Sequence, residues 1–348
     1  MLRIIDKKGR KEKCVLCGKI SEEISSALKI CLSCIRNRPD EAIKIAIAVH
    51  AKIRDEFRLP AMPPVDEDGI NCKLCINECR IGKDKRGYCG VRKNLNGRIV
   101  SEGRIHSYYD PLPTNCCASW FCEGSKEMGY NLAVFSYGCS FNCIFCQNWE
   151  HKCIDAGEKI DENILLDKAK YANCICYFGG TPEPLLPFFL KANKRIVEEC
   201  KTRICWEWNG TGNKNLVRKA AEFSYNTGGV VKFDLKAFDE NLNIALTGIS
   251  NKRTIENFEM IANEFNKENL LTATTLLIPG YIDAEEVEKI AKFISSLNPD
   301  IPYSLLAFHP DFKMIDMPFT TRKLAMDCYN VAKKYLKKVN IGNEHLLW

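Results

Sequence analysis

The chain has 348 residues, 46% of them apolar, which is enough for one large packed domain with smaller modules attached. Its net charge of +6 and pI near 8.4 are mild and spread along the sequence, so nothing in the charge calls for a nucleic-acid partner. No apolar run reaches the roughly 18 residues of a membrane span. The basic start, MLRIIDKKGRKEK, is not followed by an apolar segment, so the expectation is a cytoplasmic protein with no secretory signal and no membrane partner.

Twenty cysteines in such a compartment argue for metal ligands rather than disulfides. So many thiolates oxidise readily, which points to an anaerobic host. Cys14 and Cys17, then Cys31 and Cys34, form two C-x2-C pairs suited to one tetrahedral site. Structural zinc is the reading, with an iron–sulfur centre or buried thiols as alternatives. Residues 40–57 follow as an amphipathic helix with Ile43, Ile47 and Ile53 among its apolar positions, which makes 1–58 a zinc-ribbon-like module plus helix. The proline-rich run LPAMPPV at 59–65 then breaks the chain and opens a cysteine-rich linker over 59–127. In it, Cys72, Cys75, Cys79 and Cys89 are spaced C-x2-C-x3-C-x9-C among Gly82, Gly87 and Gly90. That pattern suits an auxiliary 4Fe–4S cluster, and it suits zinc equally well. Cys116, Cys117 and Cys122 follow in PTNCCASWFCEG, read either as buried thiols or as ligands of a neighbouring or third metal centre.

From residue 128 to the end, strand and helix patterns alternate. Apolar strands are expected near 131–137, 174–178, 203–208, 230–235, 270–278 and 302–308. Helices are expected around 161–172, 184–200, 213–223, 254–266 and 284–297. The last of these shows its period well, with Val287, Ile290, Ile294 and Leu297 separated by charged residues. Six strand–helix units imply an α/β fold with a parallel sheet, closed as an open or partial barrel. Ligands of such sheets bind beyond the C-terminal ends of the strands.

The first strand runs straight into Tyr-Gly-Cys-Ser-Phe-Asn-Cys-Ile-Phe-Cys-Gln-Asn, placing Cys139, Cys143 and Cys146 in one loop behind Gly138. Three thiolates that close together hold three corners of an iron–sulfur cube and leave the fourth iron open to a small ligand. A zinc site would draw its fourth ligand from His151 or Cys153, but the C-x3-C-x2-C spacing differs from paired zinc knuckles.

This loop, followed by Gln147-Asn148, resembles that of the radical S-adenosylmethionine (SAM) enzymes. The likeness is greatest to the branch of the pyruvate formate-lyase and other glycyl-radical-enzyme activating enzymes and their AmmeMemoRadiSam-type relatives. Cys89-Gly90-Val91-Arg92 is similar to the end of the cysteine-rich leaders in that branch, and the resemblance runs from about Gly129 to the end of the chain. It implies a radical SAM core barrel over 128–348, with a 4Fe–4S cluster on catalytic Cys139, Cys143 and Cys146. The open iron would hold the amino and carboxylate groups of SAM, and one electron would split the sulfonium into methionine and a 5′-deoxyadenosyl radical.

The resemblance also assigns site residues. Gly179, Gly180 and Thr181 match a glycine pair that contacts the SAM amino group, although Thr181 stands where the family carries glutamate and Glu183 comes two residues later. A plain β-to-α turn is the other reading of that run. Glu207-Trp208-Asn209-Gly210 is similar to a run whose acid helps bind a monovalent cation. Trp208 removes one oxygen from that site, so Asn209 is the expected SAM contact. Asp234 and Lys236 match a pair that orients and neutralises the SAM carboxylate, with a surface salt bridge as the alternative. The Ile278-Pro279-Gly280-Tyr281 turn is expected beside the nucleoside. His309 is expected near SAM, failing which it is an ordinary core or surface histidine, and the run 339–343 is expected by the barrel mouth. The implied partners are reduced flavodoxin or ferredoxin as electron donor and a glycyl-radical enzyme as protein substrate. A modified peptide, cofactor or lipid precursor is the alternative substrate, and a non-catalytic zinc-ribbon binding module the remote one.

Overall fold

A computed structural model of the chain describes residues 10–101, 103–114, 116–159 and 161–348, so the first nine residues of the basic start lie outside the described residues. Three two-stranded antiparallel hairpins lead the described chain. They pair β1 (Glu12–Lys13) with β2 (Ile20–Ser21), β3 (Ile70–Asn71) with β4 (Arg80–Ile81), and β5 (Arg92–Leu95) with β6 (Arg98–Ser101). Between the first two hairpins stand α1 (Leu32–Asn37) and α2 (Pro39–Asp55). Pro39 suits the first turn of α2, where a missing N–H costs nothing, and Asp40 and Glu41 complement the positive helix end.

The remaining strands form one nine-stranded sheet: β7 (Arg104–Pro111), β8 (Tyr130–Ser136), β9 (Glu158–Lys159), β10 (Cys174–Gly179), β11 (Arg203–Trp208), β12 (Val231–Asp234), β13 (Leu271–Leu277), β14 (Tyr303–Ala307) and β15 (Val339–Gly342). Their order is β15-β14-β13-β12-β11-β10-β8-β7-β9, a linear order, so the sheet is open. All pairings from β8 to β15 are parallel, while β7 runs antiparallel to both β8 and β9. The crossovers are α3 (Glu162–Ala169), α4 (Leu186–Glu199), α5 (Lys214–Thr227), α6 (Glu240–Thr247), α7 (Lys252–Glu264) and α8 (Ala284–Leu297), with α9 (Arg322–Ala332) before the last strand.

All six expected strands are present, because strands buried on both faces read as apolar runs. The run 339–343, expected by the barrel mouth, supplies a seventh parallel strand at the sheet edge. The antiparallel edge is a correction to the wholly parallel expectation. Polar, half-exposed β7 (RIHSYYDP) lies inside what reads as linker. Helix α8 has the expected bounds, since the Asp283 carboxylate accepts the Glu286 N–H and Val287, Ile290, Ala291 and Ile294 fill the core. Helix α2 is shifted from its expected face. Ala42, Ala46, His50 and Ile53 are buried while Ile43 and Ile47 are only half-buried. The small alanines let α2 lie against α6, whose terminal Gly248 (φ +78°) would bring an added Cβ to 3.0 Å from the His50 ring.

The leader is fastened to the sheet domain. The buried Tyr281 hydroxyl accepts the Ser25 N–H at 3.1 Å and donates to the Ile30 carbonyl at 3.0 Å. Arg36 grips the Asp283 carboxylate with two 2.9 Å hydrogen bonds. The 278–281 turn, expected beside a nucleoside, therefore seats the N-terminal module instead. Further along, the buried Arg54 guanidinium stacks 3.4 Å from the centre of the Tyr88 ring and donates to the carbonyls of Pro60 and Tyr88.

Candidate functional site

Strand β8 ends in the cysteine loop at the C-terminal edge of the sheet, and the loop packs against the end of β10. Gly180 N–H donates to Ser136 O at 2.9 Å and Thr181 N–H to Gly138 O at 3.2 Å. The contact is so close that a Cβ on Gly180 would overlap the Gly138 carbonyl oxygen, and one on Gly138 (φ +83°) would come within 2.6 Å of Cys89 O. The glycines are thus required by space at one position and by backbone shape as well at the other.

A cavity of about 150 Å³ opens beside the loop. Cys139, Cys143 and Cys146 form one wall. Gly179 and Gly180, Asn209, and Asp234 with Lys236 form the others, each set at the end of a successive strand. Residues far apart in sequence thus meet where the strand-end rule places a ligand. Phe178, Leu276 and Leu306 provide its apolar lining.

The donor chemistry fits a thiolate-held cluster. The Cys139 sulfur accepts the Phe141 N–H at 3.3 Å and lies 3.6 Å from the Asn209 amide nitrogen, the kind of N–H···S contact that stabilises bound sulfur. Burial raises the Cys139 and Cys146 thiols above their ordinary range and pushes Cys143 up to about 12, so it takes bound metal to strip their protons. Asn209 also donates to Ser140 Oγ at 2.8 Å, fixing the loop to β11. Lys236 lies 2.7 Å from Asp234, which in turn accepts the Thr274 hydroxyl. Burial works to lower the Lys236 pKa, but Asp234 and the Cys143 sulfur outweigh it and hold the ammonium above its ordinary value. A fixed cation facing the cavity can neutralise a ligand carboxylate.

Two expected contacts do not reach the cavity. Thr181 is buried and donates its hydroxyl to Glu183, whose other oxygen accepts the Thr211 N–H at 3.0 Å. Glu183 therefore braces the β10 and β11 loops against each other rather than facing a ligand. His309 has 43% of its side chain exposed and pairs with Asp311 at 2.8 Å. At Glu207 the nearby cation is internal, since the Lys232 ammonium stands 3.3 Å from its carboxylate. Trp208 is buried and stacks on Trp206 with ring centres 5.4 Å apart.

Sequence reading raised His151 only as a zinc ligand and missed Lys152. His151 lines the cavity with its Nδ1 atom unpartnered, and burial drives its pKa far down so that the ring is neutral. Lys152 is 2% exposed and donates to Asn142 Oδ1 at 2.9 Å. Asn142 in turn bonds His50 of α2 at 3.0 Å. The only local signal was the His-Lys pair just after the cysteine loop.

The two leader cysteine sets differ in spacing. In the first, Cys14 and Cys34 sulfurs are 3.8 Å apart and Cys17 and Cys31 3.6 Å, and all four lie within 4.8 Å of one another. Metal–sulfur bonds of about 2.3 Å give a tetrahedral edge of about 3.8 Å, so this set suits one ion. Cys72, Cys75, Cys79 and Cys89 line one small void but are not gathered within that limit. Cys79, Tyr88, Phe141 and Cys139 share a buried cluster, and Asn77 donates to Ser140 O at 2.8 Å, so the second set abuts the cysteine loop.

Residues 133–294 match the model of the radical SAM superfamily. A Methanocaldococcus jannaschii protein provisionally named a glycyl-radical enzyme activating enzyme is 28% identical over 220 residues, covering 60% of this chain and 79% of that one. The pyruvate formate-lyase 1-activating enzyme of Escherichia coli K12 is 22% identical over 217 residues, with 60% and 81% covered. A solved domain of a pyruvate-formate lyase-activating enzyme from Bacteroides vulgatus superposes with a TM-score of 0.41 at 20% identity, over 48% of this chain and 98% of that one.

Proposed function

Because residues 133–294 are a radical SAM domain, and the family works with a 4Fe–4S cluster and SAM, we propose that this enzyme cleaves SAM reductively at a cluster on Cys139, Cys143 and Cys146 to activate a partner protein. One observation carries the reading: the three cysteines share one cavity with Gly179, Gly180, Asn209, Asp234 and Lys236. With both groups bound, an electron passed into SAM yields methionine and a 5′-deoxyadenosyl radical, which takes a hydrogen atom from the substrate.

The chain's own residues then divide the work. Lys236, set by Asp234, would neutralise the SAM carboxylate, and the Gly179–Gly180 backbone would meet its amino group. Asn209 and the Phe141 N–H hold the Cys139 sulfur. Phe178, Leu276 and Leu306 keep water from the reactive carbon. The names of the two relatives support a glycyl-radical enzyme as the substrate protein.

The same reading divides the chain into a zinc-ribbon-like module with its helix (1–58), a cysteine-rich auxiliary segment (59–127) and the core (128–348). The sulfur spacing favours zinc on Cys14, Cys17, Cys31 and Cys34. It favours an iron–sulfur cluster on Cys72, Cys75, Cys79 and Cys89, which would pass electrons from reduced flavodoxin or ferredoxin toward the cysteine loop.

Anaerobic reconstitution with iron and sulfide, then dithionite and SAM, tests the chemistry. 5′-Deoxyadenosine and methionine should appear in equal amounts, and their absence would refute it. Deuterium moving from labelled glycine of a partner protein into 5′-deoxyadenosine tests the substrate.

A further inference from the structure

The lumen of the sheet does not end at the cavity just described. Toward the N-terminal ends of the strands lies a second cavity of about 280 Å³, which shares Phe178 and Glu207 with the first. Two-residue alternation turns Cys174 and Cys176 of β10, Cys205 and Glu207 of β11, and Lys232 of β12 to this face. The segment that carries Cys116 and Cys122 closes it from outside. Trp120 Nε1–H donates to Ser304 Oγ at 3.0 Å, and that hydroxyl donates to Cys117 O at 2.9 Å, tying this cap to β14.

Buried cysteines ordinarily pack as small hydrophobes. These surround charge instead. Lys232 is 2% exposed, and its ammonium lies 3.1 Å from the sulfurs of both Cys116 and Cys176 and 3.3 Å from the Glu207 carboxylate. Cys116 Sγ, Cys117 Sγ and a Glu207 oxygen all lie within 4.8 Å of one another. Ligand bonds of about 2.1 Å to oxygen and 2.3 Å to sulfur set donors about 3.5–3.8 Å apart round a single ion, so small adjustments close this set.

Charge completes the argument. Two thiolates and a carboxylate carry three negative charges, of which Lys232 offsets one. A divalent cation offsets the other two. The three donors are half-buried, but they face a fully buried ammonium, and charge left unbalanced beside it is costly.

We propose that Cys116, Cys117 and Glu207 bind a single thiophilic divalent cation, of the class of Zn²⁺ or Fe²⁺, at the base of the lumen with Lys232 as its charge partner. Three protein donors leave a coordination position for a small molecule in the adjoining cavity, as in catalytic rather than structural metal sites. The proposal stands apart from SAM cleavage, since metal content can be read in protein that cleaves no SAM.

The test uses the full chain purified without oxygen, wild type beside Cys116→Ser/Cys117→Ser. Mass-spectrometric metal analysis should find one divalent ion fewer per chain in the variant and say whether it is zinc or iron. After Co²⁺ loading, the sulfur-to-cobalt absorption should be weaker in the variant. Equal metal content and equal cobalt spectra in two folded proteins would overturn the proposal. Should the double variant not fold, Cys117→Ser alone decides. A competing chelator should strip the ion at a concentration about tenfold lower, and an unchanged competition curve would overturn the proposal equally.

Discussion

Replacing Gly180 with alanine tests whether the cysteine loop must touch the end of β10. Gly180 has no left-handed backbone requirement, so the whole cost of Gly180→Ala comes from contact. The added Cβ would overlap the Gly138 carbonyl oxygen and lie 2.9 Å from its carbon and 2.8 Å from the His151 ring. Carbon atoms in contact prefer about 3.5 Å or more, so the loop must retreat by about 0.6 Å or more from β10. That retreat strains the two hydrogen bonds that join Gly180 and Thr181 to Ser136 and Gly138. Overpacking of this kind costs about 1–3 kcal/mol of stability, and a shift of about 1 Å in a reacting group costs about 100-fold in rate. We therefore expect a folded protein that makes 5′-deoxyadenosine about 100-fold more slowly, measured by chromatography of anaerobic reactions with dithionite and SAM. Gly97→Ala is the control. Its Cβ would meet nothing within 4 Å, so it carries only the cost of a positive φ and should leave turnover unchanged. Wild-type turnover in Gly180→Ala would refute the reasoning.

Two further outcomes are expected. Burial raises Glu183 from an ordinary 4.5 to about 7, with its hydrogen bonds from Thr181 and Thr211 opposing the rise. The folded state then holds this proton where the unfolded chain has lost it, so the group's contribution to stability falls as pH rises from about 4.5 to 7 and is level above that. The total is about 3 kcal/mol. Glu183→Gln should remove this slope in denaturant titrations from pH 5 to 8, and a difference between the two proteins that does not vary with pH would count against it. Replacing Cys14 and Cys31 with serine should release one zinc per chain, since such sites hold their module folded by about 10–16 kcal/mol in isolated fingers. Hydrogen exchange should rise around Ser25 and Ile30 while iron content holds. Unchanged zinc would contradict the assignment.

Much of the core was legible because its physics is local. Apolar runs mark strands buried on both faces, and the Asp283 cap with its three- and four-residue period marks α8. Helix α6 escaped notice because it is only eight residues long, although Asp239 caps it and Gly248 ends it. Helix α9 is capped by the Thr321 side chain just as Asp283 caps α8, but its weaker apolar stripe gave no clear period. At the site, Cys139, Asn209 and Lys236 stand at strand ends that the alternating pattern locates. Thr181 and His309 were misplaced because sequence position fixes the loop but not the direction a side chain takes from it. Lys232 was within reach. Asp234 and Lys236 were expected to face a ligand, and two-residue alternation puts Lys232 on the same side. What no local pattern shows is that Cys116 and Cys176, from distant segments, would meet it there.

The bonds from Arg54 to Tyr88, from His50 to Asn142, and from Tyr281 to the first thirty residues bear on anyone who would trim this protein. Cutting at the edge of the matched family region would strip partners from groups that are now fully interior, among them the carbonyl that His50 holds in α6 and the amide that steadies Lys152. The front third is therefore less an appendage than a wall of the catalytic half, and the smallest working version of the enzyme should be close to the whole of it.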